Sequence, residues 1–376
     1  MRIAVDGREL LGQPTGVGRY LAELLARWTR SPEARHEIIL ITPAPLDPAA
    51  PWRGRDGATI RDEVTGGRPG TWWEQATLAR VLRRLGCDVF FAPAYTAPLA
   101  VSAPIVVTIH DVSFAAHYEW FTRREGLRRR LLSRATAGKA RAVLTPSRFS
   151  REEIVRHLGA HRDRIHVVPQ GVDSHACFGA RHPREDLSPP REPMVLYVGS
   201  IFNRRRVPEL IAGFARLARE RPDVRLEIVG DDRTFPRQDL VRLAAATGVG
   251  ARITFRAYAP ETVVEDLHAR ARVFAFLSEY EGFGITPLEA MQAGVPVVVL
   301  DTPVAREVYG EAALYVQPGD GDGLANALRL LLDDEPARLR LLAAGRLVAS
   351  GYSWNRTARE TLAVLEAAAG AGRVVT

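Results

Sequence analysis

Leu277-Ser278-Glu279-Tyr280-Glu281-Gly282-Phe283-Gly284-Ile285-Thr286-Pro287-Leu288-Glu289-Ala290-Met291 is the stretch whose reading decides the rest. The apolar run Val273-Phe274-Ala275-Phe276-Leu277 at its start has the length and residue types of a buried strand, and the residues from Pro287 to Ala293 have the composition of a helix. Gly282 and Gly284 lie between them. Without a Cβ, the backbone there can turn tightly and a ligand can lie against its N–H groups. Pro287 fits a first helical turn, where a missing N–H costs nothing, so the loop feeds a helix N-terminus suited to phosphate.

Two carboxylates narrow this further. Glu281 lies in the loop and Glu289 follows about two turns later. Beside a phosphate site that already attracts anions, carboxylates suit hydroxyls better than phosphate. The plain alternative is a solvated loop residue and a helix-dipole partner. The stretch resembles the Glu-x7-Glu signature of retaining GT-B glycosyltransferases of the family 4, or group 1, type. That resemblance implies an α/β fold of two Rossmann-like domains whose parallel sheets face across a cleft.

The 376 residues suffice for about two domains, with the apolar and charged fractions of an ordinary globular protein. No stretch is apolar enough to cross a membrane, and the start, Met1-Arg2-Ile3-Ala4-Val5-Asp6, lacks the core and cleavage site of a signal peptide. Cys87 and Cys177 lie far apart and form no metal-ligand cluster, so they read as reduced packing residues of a cytoplasmic protein. The net charge of +7 suits nucleotide, phospholipid or nucleic acid without choosing among them.

The first third alternates the apolar runs 3–5, 38–41, 89–91, 105–109 and 142–144 with helical segments, as expected for a parallel sheet covered on both faces. Such sheets bind ligands beyond the carboxyl ends of their strands. After the first run comes Gly12-Gln13-Pro14-Thr15-Gly16-Val17-Gly18-Arg19-Tyr20, a glycine loop opening a helix expected from Tyr20 to Arg30. Ala22 and Glu23 stand where a dinucleotide fingerprint would place a third glycine. The loop is either a plain turn or, as the resemblance implies, the wall of Gly16 and Gly18 near the donor phosphates. His110 and Asp111 follow the strand ending Thr108-Ile109. The resemblance implies that His110 lies near the transferred sugar, with Asp111 orienting it or capping the next turn.

From Phe121 to Arg134 apolar residues at helical spacing alternate with a basic opposite face, which is either a solvated face or a contact for anionic lipid or a lipid-linked acceptor. Trp72 and Trp73 are candidates for acceptor surface or core. Ser147 begins a capped helix. The stretch His166 to Asp173 resembles the family's exit from the first domain, and residues 179–193 read as a linker rich in Pro, Arg and acidic residues. The expected domains are therefore 1–178, completed by a helix over 354–376, and 194–353.

The second domain restarts with runs 194–198, 226–229, 253–255, 273–277 and 297–300. After the first of these, Gly199-Ser200-Ile201-Phe202-Asn203-Arg204-Arg205 matches the family segment in which a small residue, an arginine and a lysine face the donor diphosphate, with Arg205 in the lysine's place. Charge is kept, but a compact ammonium becomes a planar fork. The loops holding Gly230 and Tyr258 approach the nucleobase by the same resemblance. It also assigns the donor to Gly282, Phe283, Gly284, Ile285, Thr286 and Glu289, and the reacting groups to His110, Arg204, Arg205 and Glu281.

Asp231-Asp232 and Asp320-Gly321-Asp322 read as turn and cap chemistry rather than a metal motif, because Arg204 and Arg205 supply the charge a metal would. The expectation is an enzyme with no metal and no cofactor beyond its donor, moving mannose or glucose from GDP-mannose or UDP-glucose to a surface glycan or a lipid-linked precursor. Peripheral contact with an anionic membrane is expected, and nucleic acid is not. Against these stand a non-catalytic sugar-nucleotide-binding protein and a nicotinamide-dependent oxidoreductase, the latter wanting a complete glycine fingerprint.

Overall fold

A computed structural model describes residues 1–12, 16–32, 34–54, 56–172 and 191–370. The chain divides into two compact units. One comprises Met1–Tyr118, Thr122–Ala180 and Ser353–Thr376, the other Glu119–Phe121 and Arg181–Tyr352. Apart from 191–193, the segment read as a linker lies outside the described residues, as does Cys177.

In the first unit the described strands β1 (Arg2–Asp6), β2 (Glu37–Thr42), β3 (Thr59–Val64), β4 (Val89–Ala92), β5 (Ile105–Thr108), β6 (Ala142–Thr145) and β7 (Ile165–Val167) form one parallel sheet in the order β3-β2-β1-β4-β5-β6-β7. β4 and β5 are fully buried, as are Ile3, Ala4 and Val5 of β1, because helices cover both faces. Strand order reverses between β1 and β4, so the carboxyl ends of those strands border the crevice where open α/β sheets take ligands.

The Trp354–Gly370 helix closes this unit. Trp28 Nε1 donates to the Ala358 carbonyl at 3.0 Å, and Thr357 Oγ1 to that of Pro169 at 2.7 Å. Gly171 is required beside it, since a Cβ there would meet the Trp354 nitrogen at 2.0 Å.

The second unit builds a parallel sheet of β8 (Glu192–Val198), β9 (Arg225–Val229), β10 (Ile253–Arg256), β11 (Ala271–Phe276), β12 (Val297–Leu300) and β13 (Ala313–Val316), in the order β10-β9-β8-β11-β12-β13. Here the reversal falls between β8 and β11. The loops after those two strands are Gly199 to Arg205 and Ser278 to Gly284.

Three strands escape the sequence reading, and all lie at sheet edges: β3, β7 and β13. An edge strand needs no continuous apolar run. β3, Thr59-Ile60-Arg61-Asp62-Glu63-Val64, is mostly exposed and carries charge at Arg61, Asp62 and Glu63.

The Arg123–Lys139 helix is capped by Thr122 Oγ1, which accepts the Glu125 N–H at 3.3 Å. Its packing differs from expectation. The buried stripe consists of Gly126, Ser133, Thr136 and Ala137, while Leu127 and Leu131 are 59% and 58% exposed. Small residues let this helix approach its neighbours closely, and the leucines are left outside. Trp72 and Trp73 part likewise, the first 82% exposed and the second 2%.

Candidate active site

β8 is followed by Gly199, whose φ of 138° favours glycine, and Gly230 after β9 has φ 152°. A Cβ on Gly230 would fall 2.0 Å from the Gly199 carbonyl oxygen, so the two loops meet backbone to backbone. A short 3-10 turn over Asn203–Arg205 follows, and Arg206, at φ 47°, turns the chain into the Val207–Glu220 helix. A left-handed arginine is strained, and its ion pairs with Glu279 and Glu209 hold it there.

Arg205 Nε donates to Glu281 Oε1 at 3.1 Å, and Ser278 Oγ donates to the same oxygen at 2.7 Å. Arg204 Nε lies 3.9 Å from that oxygen and has no hydrogen-bond partner among the described residues. Arg204 and Arg205 are each 13% exposed, with guanidinium carbons 4.6 Å over Phe202 and 4.7 Å over Phe276. Two buried guanidinium groups thus share one carboxylate, which leaves a positive surplus at the switch point of the sheet.

The surplus faces a turn prepared for anions. Gly284, at φ 86°, is the N-cap of the Ile285–Gln292 helix, which starts two residues before Pro287, so Ile285 and Thr286 occupy its first turn. Their N–H groups are among those a helix leaves without an internal partner. Tyr309 Oη donates to the Gly284 carbonyl at 2.7 Å and is fully buried, which pushes its phenol well above the usual range. The Phe283 side chain is 5% exposed and packs edge-on to Tyr352 at 5.2 Å, so only its backbone is left for a donor. Glu289 sits one turn into the helix, half-buried. Tyr258 follows β10 and is 62% exposed.

In the first unit His110 follows β5 with both ring nitrogens engaged. Gln170 Nε2 lies 3.1 Å from Nδ1, and the Pro93 carbonyl 2.9 Å from Nε2. These partners assign a neutral imidazole protonated at Nε2. Burial lowers the His110 pKa, opposed by the Pro93 bond and the Asp111 charge. The rings of Tyr20 and Tyr95 stand edge-on at 5.0 and 5.8 Å. Asp111 caps the next turn, accepting Ser113 N–H at 2.8 Å, and also takes the Tyr95 hydroxyl at 3.0 Å. Gln170 and Pro93, rather than Asp111, bond to the imidazole.

Gly16 and Gly18 lie inside the Gly16–Trp28 helix, not in a loop before it, and residues 13–15 are outside the described set. The helix starts four residues earlier than its apolar periodicity suggests, because glycine contributes nothing to that pattern. What these positions offer is a helix N-terminus. Asp320 Oδ1 caps its helix through Gly323 N–H at 2.8 Å, and Asp232 Oδ1 accepts the Thr234 N–H at 3.0 Å. Among the described residues no three His, Cys, Asp or Glu side chains converge as a metal site. Tyr197, Ser278, Tyr309 and Gln170 were not singled out from the sequence, although Ser278 lies in the decisive stretch, Tyr197 in the run 194–198 and Gln170 in the stretch His166 to Asp173.

The parallel sheets, the switch-point arginines and the glycine turn define a nucleotide-sugar glycosyltransferase of GT-B architecture. Residues 180–348 match the model for "Glycosyl transferases group 1" and residues 14–176 that for "Glycosyltransferase Family 4". The chain belongs to this family of glycosyltransferases. It is 27% identical over 364 residues to O-antigen chain mannosyltransferase B of Escherichia coli, covering 93% of this chain and 95% of that one. It is 30% identical over 281 residues to the glycogen synthase of Mycobacterium tuberculosis, covering 73% of this chain and 66% of that one. The fold matches the solved structure of WaaG, a glycosyltransferase involved in lipopolysaccharide biosynthesis, with TM-score 0.75 at 18% identity over 97% of this chain and 99% of that one.

Proposed function

We propose that this chain transfers a hexose of the mannose or glucose type from a nucleoside-diphosphate sugar to a surface glycan or its lipid-linked precursor, with retention of anomeric configuration and without a metal. The observation that carries it is the pair Arg204 and Arg205 sharing Glu281 at the switch point of the second sheet. The cationic surplus and the helix N-terminus suit a diphosphate. Ser278 and Arg205 both bond Oε1 of Glu281, so Oε2 is the oxygen offered to a sugar hydroxyl. GDP-mannose ranks first as donor because a mannosyltransferase is among the relatives matched over nearly their whole length, and UDP-glucose second.

In the transfer, the acceptor oxygen bonds to the anomeric carbon as the bond from that carbon to the diphosphate breaks. The acceptor proton passes to a departing phosphate oxygen on the same face. Arg204, Arg205 and the N–H groups after Gly284 take the charge that grows on the diphosphate.

The Arg123–Lys139 helix supports contact with an anionic membrane. At about 100° per residue, Arg123, Arg124, Arg130 and Arg134 share an arc of roughly 120° with the exposed Leu127 and Leu131.

A thermal-shift screen against nucleoside-diphosphate sugars without added metal tests the donor assignment. A donor at a hundred times its dissociation constant stabilises by about 2.7 kcal/mol. Glu289→Ala is expected to unfold normally while losing about tenfold or more in donor affinity. No shift with any such sugar, or unchanged affinity in Glu289→Ala, would sink the assignment.

A further inference from the structure

Arg206 ends a run of three arginines, yet its surroundings are the reverse of those of Arg204 and Arg205. Those two share one carboxylate, whereas Arg206 lies between two. Its Nε donates to Glu279 Oε2 at 2.6 Å, its Nη2 pairs with the same carboxylate, and its Nη1 pairs with Glu209. Its charge is balanced there, so it adds nothing to the positive surplus beside Glu281. Its backbone, at φ 47° and ψ 38°, lies in the left-handed region, a strain that glycine would avoid. What the arginine provides in exchange is the set of segments its side chain ties together.

Those segments border the switch point of the second sheet. Glu279 belongs to the loop after β11, and its own N–H donates to the Arg204 carbonyl at 2.9 Å. Glu209, in the first turn of the Val207–Glu220 helix, accepts the Gly319 N–H after β13 at 3.2 Å. The short turn carrying Arg204 and Arg205 is held at its other end by Asn203. The Asn203 Oδ1 accepts the Phe235 N–H at 2.6 Å and its Nδ2 donates to the Pro236 carbonyl at 3.2 Å, both in the loop after β9.

We infer that Arg206 and Glu279 are positioning residues of the transfer reaction, a clamp that fixes the Asn203–Arg205 turn against the loop after β11 and so aims Arg204 and Arg205 at the donor diphosphate. This role rests on the reading of the second unit's site as a diphosphate site. Arg204 and Arg205 come from the loop after β8, while Glu281 and the helix N-terminus come from the loop after β11, so their mutual register depends on what joins the two loops. Without the Arg206 side chain the charges remain, but the turn is held only through Asn203 and the Arg204 carbonyl. The loss falls on the step in which charge grows on the diphosphate, where a displaced cation does most harm.

Arg206→Gly, which keeps the left-handed turn and removes the side chain, Glu279→Gln and the double variant test this on the full chain. Steady-state transfer is measured from the donor found in the thermal screen, and hydrogen exchange of the Glu279 N–H by NMR without donor. Each single variant is expected to lower kcat about tenfold while donor KM changes by less than about threefold. The double variant should fall no more than about twofold below the worse single variant, because both changes break the same bridge. In Arg206→Gly the Glu279 N–H should exchange at least about fivefold faster than in the wild type, the Arg204 carbonyl being less firmly held.

Wild-type kcat in Arg206→Gly, losses that multiply in the double variant, or unchanged exchange at Glu279 overturns the inference. Faster exchange in a protein that binds and turns over no nucleoside-diphosphate sugar overturns the transferase reading, and the role in transfer with it, while the clamp between the two loops stands.

Discussion

Tyr309 reaches from the end of the Pro303–Tyr309 helix to donate its buried hydroxyl to the Gly284 carbonyl at 2.7 Å, where Gly284 makes its left-handed turn at φ 86°. A Cβ on Gly284 would stand 2.1 Å from that hydroxyl. The turn that aims the helix N-terminus is therefore fixed by a residue 25 positions away.

Gly284→Ala is expected to lose at least about 2 kcal/mol of stability, from the left-handed conformation and the displaced Tyr309. Donor affinity should fall with it. Calorimetric unfolding and donor titration check this, and Tyr309→Phe, which keeps the ring, should fall between wild type and Gly284→Ala. An unaltered melting temperature and donor affinity in Gly284→Ala would show the turn to be dispensable.

Arg205→Ala should reduce turnover by more than it weakens donor binding, since the cation is worth most when the diphosphate departs. Glu281→Gln, which removes the charge but keeps the shape, should likewise lower kcat. Mass spectrometry should find no glycosyl adduct on Glu281 in either variant, and NMR of the product should show the donor's anomeric configuration. A covalent sugar on Glu281, or an inverted product, would overturn the same-face mechanism.

The proposed membrane contact is best tested away from Arg128 and Arg129. Glu125 accepts from Arg128 Nη2 at 2.7 Å and from Arg129 Nε at 2.6 Å, so those two are already partnered. Arg130 and Arg134 are exposed and make no ion pair among the described residues. Arg130→Glu with Arg134→Glu should abolish sedimentation with vesicles containing phosphatidylserine, each charge near such a surface being worth about 1 kcal/mol. Equal sedimentation of the double variant and wild type would return the helix to a solvated face.

His268 supplies a pH prediction. It is 7% exposed against Phe274, burial beside Arg191 lowers its pKa from 6.5 to about 4, and its Nε2 has no hydrogen-bond partner among the described residues. A histidine whose folded pKa lies below the unfolded one contributes stability above the unfolded value and loses it as pH falls toward the folded value. The loss should therefore run from pH 6.5 down to about 4 and amount to about 3 kcal/mol. Melting temperatures of wild type and His268→Leu at pH 7 and pH 5 check this, the variant lacking that part of the decline. Parallel declines in the two proteins would remove His268 as its source.

The sequence by itself determined the interior of both sheets, because strands covered on both faces must be apolar throughout, as β4 and β12 are. It also marked Gly199 to Arg205 and Glu281 to Glu289, where glycines and charges directly follow such strands, and the cap at Ser147, whose Oγ accepts the Ser150 N–H at 2.9 Å. The edge strands β3, β7 and β13 were not legible, since β3 needs no apolar pattern where one side meets water, although the edge strand β10 was read from its run 253–255. The glycine loop over 12–20 misled about the helix start, because a first turn holding Gly16 and Gly18 shows no apolar periodicity.

Only the tertiary structure decided what holds the charged groups. Tyr309 looks like a core residue in sequence, and its hydroxyl finds Gly284 only once the chain after β12 has returned to the signature loop. The same holds for His110, whose Nδ1 meets Gln170 60 residues further on. Residue type and short spacing set which chemistry is available, while orientation depends on hydrogen bonds between distant segments that no local pattern encodes.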